Sequence, residues 1–134
     1  LAETKLTPEL RNDALYFRAK AYLNQRDDKK AMNDLQTLAK DTRTLYGAEA
    51  KYLVAQQLYK AGEYTAAEKE ILNFIDQSTP HAYWLARSFV LLSDVYVAMD
   101  KKLDARQFLL IIQQIYHADD DIEQMINERL EKLK

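Results

Sequence analysis

The sequence predicts an all-α chain built from repeated helical hairpins. Three observations carry this. The 134 residues include only 2 Gly and 2 Pro, so few positions interrupt a helix. Ala, Leu, Lys, Glu, Gln and Arg, the strong helix formers, dominate the composition. Small and large apolar residues recur in one fixed order three times along the chain. An all-β chain would need turn clusters that this composition lacks.

The elements follow in order. Thr7-Pro8-Glu9 supplies an N-cap hydroxyl, a proline at the first helical position and an acid in the first turn. It predicts a first helix over 8–25. The turn at Asp27-Asp28 leads into a second over 28–41. A third spans 45–60, with Gly47 in its first turn, where a close approach of helices would use it. Gly62 stands where a helix ends in the left-handed region, so a fourth runs over 63–77. Thr79-Pro80 repeats the opening pattern and starts a fifth over 80–99. A sixth covers 101–116. Asp119-Asp120-Asp121 caps a seventh over 120–133 and favours its positive end. Connections of about two to four residues make neighbouring helices antiparallel.

Aligned on Ala31, Ala67 and Ala105, the hairpins repeat at spacings of 36 and 38 residues. Twelve residues earlier stand Ala19, Ala55 and Ser93; nine earlier, Tyr22, Leu58 and Tyr96; seventeen earlier, Ala14, Ala50 and Ser88. Four later come Leu35, Ile71 and Leu109, and seven later Leu38, Phe74 and Ile112. Small residues recur where two helices approach, and large ones where a gap must be filled.

These residues resemble the tetratricopeptide repeat. The second unit carries the resemblance best, in Ala55, Leu58, Gly62, Tyr64, Ala67, Ile71 and Phe74. The resemblance covers about residues 8–116, in units of about 8–41, 45–77 and 80–116. It implies a right-handed α-α superhelix closed by the seventh helix as a cap. Arg26 and Asp100 replace Gly62, and Asp28 and Lys102 replace Tyr64. The turn geometry of units one and three is therefore left open. Longer, divergent units of this kind are similar to the tetratricopeptide proteins of the bacterial cell envelope, which leans the compartment toward the periplasm.

The family binds partners in a concave groove lined by the first helix of each unit. Carried over position by position, that groove is Asp13, Tyr16, Lys20 and Leu23 in unit one. Unit two gives Glu49, Tyr52, Gln56 and Tyr59, and unit three gives Arg87, Val90, Asp94 and Val97. Tyr16 and Tyr52 share one repeat position, and tyrosine supplies contact area with a polar tip. The resemblance implies a non-catalytic interaction or scaffold module that takes a partner peptide or helix.

Other chemistries find little support. With 0 Cys, no disulfide, thiolate metal site or thiol nucleophile is possible. Net charge is -2, where nucleic-acid binding calls for a basic face. An RNA-reading helical repeat is the alternative, and the mixed signs of the groove disfavour it. His81 and His117 are the only imidazoles. His117 with Asp119-Asp120-Asp121 lacks a metal-ligand spacing, and no cofactor is expected. No apolar run approaches the roughly 20 residues of a membrane span.

The seventh helix sets Ile122, Met125, Ile126, Leu130 and Leu133 on one stripe, backed by Glu123, Gln124, Asn127, Glu128 and Glu131. A solenoid closes on such a helix. Leu1 to Leu6 reads like the tail of an earlier repeat's second helix. The chain is thus expected to be the C-terminal end of a longer array, with a first face open to self-association.

Overall fold

The structure is a computed structural model that describes residues 7–134, so the reading of Leu1 to Leu6 lies outside the described residues. Those described form seven α-helices. They are α1 (Pro8–Asn24), α2 (Asp28–Leu38), α3 (Leu45–Lys60), α4 (Tyr64–Asp76), α5 (Ala82–Ala98), α6 (Lys102–Ile115) and α7 (Ile122–Lys132). The chain is all-α, as its composition predicts.

Each hairpin closes by the same turn. The Asp27 amide donates to the Tyr22 carbonyl at 2.9 Å and the Arg26 amide to Leu23 at 3.1 Å. Glu63 and Gly62 repeat this on Leu58 and Tyr59, at 2.9 and 3.0 Å. Lys101 and Asp100 repeat it on Tyr96 and Val97, at 2.7 and 3.0 Å. This is the Schellman arrangement, which satisfies carbonyls that the helix end leaves free. It requires a left-handed residue, and φ is 61° at Arg26, 80° at Gly62 and 62° at Asp100. The turns left open by the sequence are therefore of the Gly62 type, made with residues that have a Cβ. Such a residue costs about 1 kcal/mol in this conformation. Arg26→Gly is expected to raise the unfolding free energy by about that amount, and Gly62→Ala to lower it similarly. Urea melts with an unchanged slope would check both.

The order of contacts sets two layers. The first helices touch in series, α1 on α3, α3 on α5 and α5 on α7. Each second helix fills the notch between two of them: α2 on α1 and α3, α4 on α3 and α5, α6 on α5 and α7. Second helices do not touch one another among the described residues. The aligned small residues make this possible. Ala19, Ala31, Ala67 and Ala105 are fully buried, and Ala55 and Ser93 are 1% exposed. Leu35, Ile71 and Leu109 fill the space above them, each at most 1% exposed.

Three boundaries differ from the sequence reading by two or more residues: the end of α2 and the starts of α5 and α7. The second helix ends at Leu38 because Asp41 turns its carbonyl onto the Thr44 hydroxyl, at 3.0 Å. Thr44 then caps α3 through the Gly47 amide, at 2.9 Å. The fifth helix starts at Ala82, two residues after Pro80. The Thr79 hydroxyl is spent elsewhere: it donates to the Thr42 carbonyl at 2.7 Å and accepts from the His81 amide at 3.2 Å. His81 lies against the previous turn, with Nε2 2.9 Å from the Arg43 carbonyl. At the last helix Asp120, rather than Asp121, accepts the Ile122 amide, at 3.0 Å.

α7 buries Ile122 and Ile126 against Ala86, Phe89, Val90, Leu109 and Ile112. Its Glu123, Gln124, Asn127, Glu128 and Glu131 face out. Among the described residues no helix is long and apolar enough to cross a membrane.

Candidate functional site: the face of the first helices

The residues carried over as groove-lining lie on the layer of first helices. There the structure joins most of them into side-chain bridges, one at each junction between successive first helices. At the α1–α3 junction the Tyr16 hydroxyl meets both Glu49 oxygens, at 3.0 and 3.1 Å. Lys20 Nζ donates to the same carboxylate at 3.1 Å and lies 5.6 Å from the Tyr16 ring centre. The Tyr16 ring also stacks on Tyr46 at 4.0 Å.

The α3–α5 junction uses a cation on an aromatic face. The Arg87 guanidinium sits 5.3 Å from the Tyr52 ring centre. Gln56 donates to the Tyr52 hydroxyl at 3.2 Å. Arg87 Nη1 reaches onward to the Tyr83 hydroxyl at 2.7 Å and to Asp121 at 3.3 Å. At the α5–α7 junction Arg129 grips Asp94 with two nitrogens, at 2.9 and 3.0 Å. Such planar two-point pairing fixes orientation as well as charge.

These bridges change what the sites can do. Glu49 is 7% exposed and Tyr52 5%, so both are structural links with little surface to offer. Val90, at 1%, is part of the core packed on Phe89, Ile122 and Ile126 and has no surface for a partner. Leu23 is half-buried against the core. Asp13 stays half-exposed on α1.

Tyr59 and Asp94, both half-buried, and the exposed Val97 lie together. They border a cavity of about 590 Å³ between α3, α5 and α7, where Val97 is 39% exposed. The cations Lys102, Arg129 and Lys132 and the acid Glu128 also border it. That volume lies within the range of ordinary ligand clefts. The sequence reading of the seventh helix covers its apolar stripe and acidic back and misses these cations. Their visible signal is the basic last turn of α7, Arg129 and Lys132.

Burial and neighbouring carboxylates hold several phenols neutral. Burial, then Glu49, pushes Tyr16 up to about 12. Burial, then the hydrogen bond to Asp120, does the same for Tyr116. Tyr59, Tyr83 and Tyr96 are also raised, first by burial and then by Asp94, Asp121 and Glu68 respectively. An unfolded phenol ionises near 10, so above that pH the unfolded chain gives up protons that the fold retains. This contribution is complete below pH 10 and is lost as pH rises through about 12. Thermal melts are expected to fall steeply over that window, and Tyr16→Phe to flatten the fall.

The residues considered for a metal are engaged otherwise. His117 Nε2 lies 2.8 Å from the Gln114 carbonyl, Asp120 pairs with the Tyr116 hydroxyl, and Asp121 meets Tyr83 and Arg87. Among the described residues no three His, Cys, Asp or Glu side chains converge in a way that could hold a metal ion.

α1 carries one further feature. Leu10, Ala14, Phe17 and Ala21 form a stripe along it, and all four are exposed, Phe17 to 63%. The same repeat positions in α5 are Trp84, Ser88, Leu91 and Val95, of which the last three are buried. No protein-family model and no curated protein matches the sequence of this chain.

Proposed function

We propose that the chain is a tetratricopeptide-like array of three hairpins, wound as a right-handed superhelix and closed by α7. It is a non-catalytic interaction module that takes an extended or helical peptide. The observation that carries this reading is the open cavity at Tyr59, Asp94 and Val97. Three residues assigned to the groove by repeat register, from two different hairpins, border one concave surface there. Aromatic and aliphatic steps with a charged rim suit a peptide laid along them. Tyr16, Lys20 and Glu49, which the register also assigns, act in this reading as the brace that shapes the groove. The exposed stripe of α1 is where a further hairpin would stack, because its counterparts on α3 and α5 lie under α2 and α4.

Selection of a random peptide library on the immobilised chain tests the groove. Amide shifts from a selected peptide are expected to centre on Tyr59, Val97 and Lys132. Val97→Asp, on an exposed position, is expected to weaken binding by about tenfold or more with helical circular dichroism unchanged. Footprints confined to α2 and α4 would sink the groove assignment.

A further inference from the structure

The outer face of α6 departs from the other two second helices. Leu103, Ile111 and Ile115 are exposed to 82%, 43% and 68%. The same repeat positions are Thr65, Asn73 and Gln77 in the second hairpin, and Lys29, Thr37 and Asp41 in the first. Two hairpins thus carry polar residues at these repeat positions, Asp41 and Gln77 just beyond their helices, while the third presents large apolar ones to water. Packing within the hairpin does not require them, since Ala105, Leu109 and Ile112 already fill the inner side of α6.

We propose that this face is the contact through which two copies of the chain pair, antiparallel and related by a two-fold axis. The residues Leu103, Gln107, Ile111 and Ile115 follow one another at intervals of four, which makes a single straight ridge on the helix surface. Such a ridge is its own complement when reversed. Leu103 meets Ile115 of the second copy, and Gln107 meets Ile111, in the isologous manner of closed dimers.

Charge selects the occupant and its direction. Residues 107–118 contain no Asp, Glu, Lys or Arg, so the ridge from Gln107 to Ile115 meets its own copy without repulsion and offers a charged partner nothing to pair with. Its two ends carry opposite signs. Lys101, Lys102 and Arg106 outnumber Asp100 and Asp104 at the start of α6, and Asp119, Asp120 and Asp121 follow its end, all exposed. Antiparallel pairing sets the basic end of each copy beside the acidic end of the other. Parallel pairing would set like beside like. The ridge residues Leu103, Gln107, Ile111 and Ile115 lie outside the cavity at Tyr59 and Val97, which shares only Lys102 with this surface, so either can fail without the other.

Sedimentation equilibrium of the full chain provides the test. A monomer–dimer equilibrium is expected at micromolar to millimolar concentration, weakened by salt through the charged ends. Leu103→Lys is expected to loosen the dimer about a hundredfold, because each new ammonium faces Ile115 of the second copy. The double change Leu103→Lys with Ile115→Glu is expected to recover most of that loss, since each Lys then meets a Glu across the axis. Both positions are exposed, and circular dichroism monitors the fold. Ile115→Lys, read in the same way, replaces the first variant should Leu103→Lys disturb α6. A chain that stays monomeric throughout overturns the proposal. So does a dimer that ignores Leu103→Lys and dissolves with Phe17→Glu on α1. A double variant no better than the single one overturns the antiparallel register.

Discussion

Gly47→Ala is expected to destabilise the chain by about 1–3 kcal/mol, against the usual gain for this change inside a helix. Alanine is the better helix former by about 1 kcal/mol, and Gly47 lies within α3. Space decides the sign. A Cβ at this position would lie 1.9 Å from the Asp41 carbonyl oxygen and 2.7 Å from the Thr44 hydroxyl. Both atoms belong to the turn that joins the first hairpin to the second, and both are fixed. The Thr44 hydroxyl donates to that carbonyl and accepts from the Gly47 amide. A methyl group must therefore push the turn away or break the cap. Overpacking costs about 1–3 kcal/mol and loss of a cap about 1 kcal/mol more. Together they outweigh the gain in propensity. A denaturant melt with unchanged slope and a lower midpoint is the expected record. A rise in stability would show that the turn yields freely.

The second large effect separates two residues that hold the same place in the repeat. Leu91→Asp is expected to leave the chain mostly unfolded at room temperature, while Phe17→Asp changes its stability by less than about 0.5 kcal/mol. Leu91 is 5% exposed and belongs to the main core cluster. Removing its side chain costs about 2–5 kcal/mol, and a carboxylate left there has no partner to offset its desolvation. The sum approaches the whole stability of a domain of this size, about 5–15 kcal/mol. Phe17 points to water at 63% exposure, so the same carboxylate stays hydrated. Thermal melts of the two variants in parallel are the measurement. Comparable losses in both would mean that the α1 stripe is covered in solution.

This pair also shows which parts of the fold the sequence discloses. All seven helices follow from caps, breakers and helix-forming composition, and the alignment of hairpins from the recurring order of small and large residues, because each is a property of local sequence. Exposure of Phe17 against burial of Leu91 does not follow, because it depends on whether another helix lies alongside. Thr79-Pro80 misplaces the start of α5 for a similar reason. Its hydroxyl could cap a helix, and a carbonyl 37 positions earlier in the chain claims it instead. Arg26 and Asp100 keep their turn geometry hidden because neither residue type marks a left-handed conformation as Gly62 does. Repeat register places the carried-over residues on the layer of first helices. It cannot distinguish Tyr59, left half-exposed, from Tyr52, buried and roofed by Arg87. Charge partners across helices, such as Arg129 for Asp94, become visible only once α5 and α7 lie side by side.

The three bridges along the first helices differ in kind: a carboxylate under a lysine and a phenol, a guanidinium over a ring, and a two-point ion pair. The hairpins therefore carry an order. Excising the second one and rejoining its neighbours would bring Tyr16 to the place of Tyr52 and Lys20 to that of Gln56, setting a lysine beside the ring that Arg87 covers. Exchanging hairpins would mismatch their junctions in the same way. The backbone repeats, but the side chains at each joint act as keys cut for one lock, so this array can be lengthened or shuffled only by recutting both sides of a joint together.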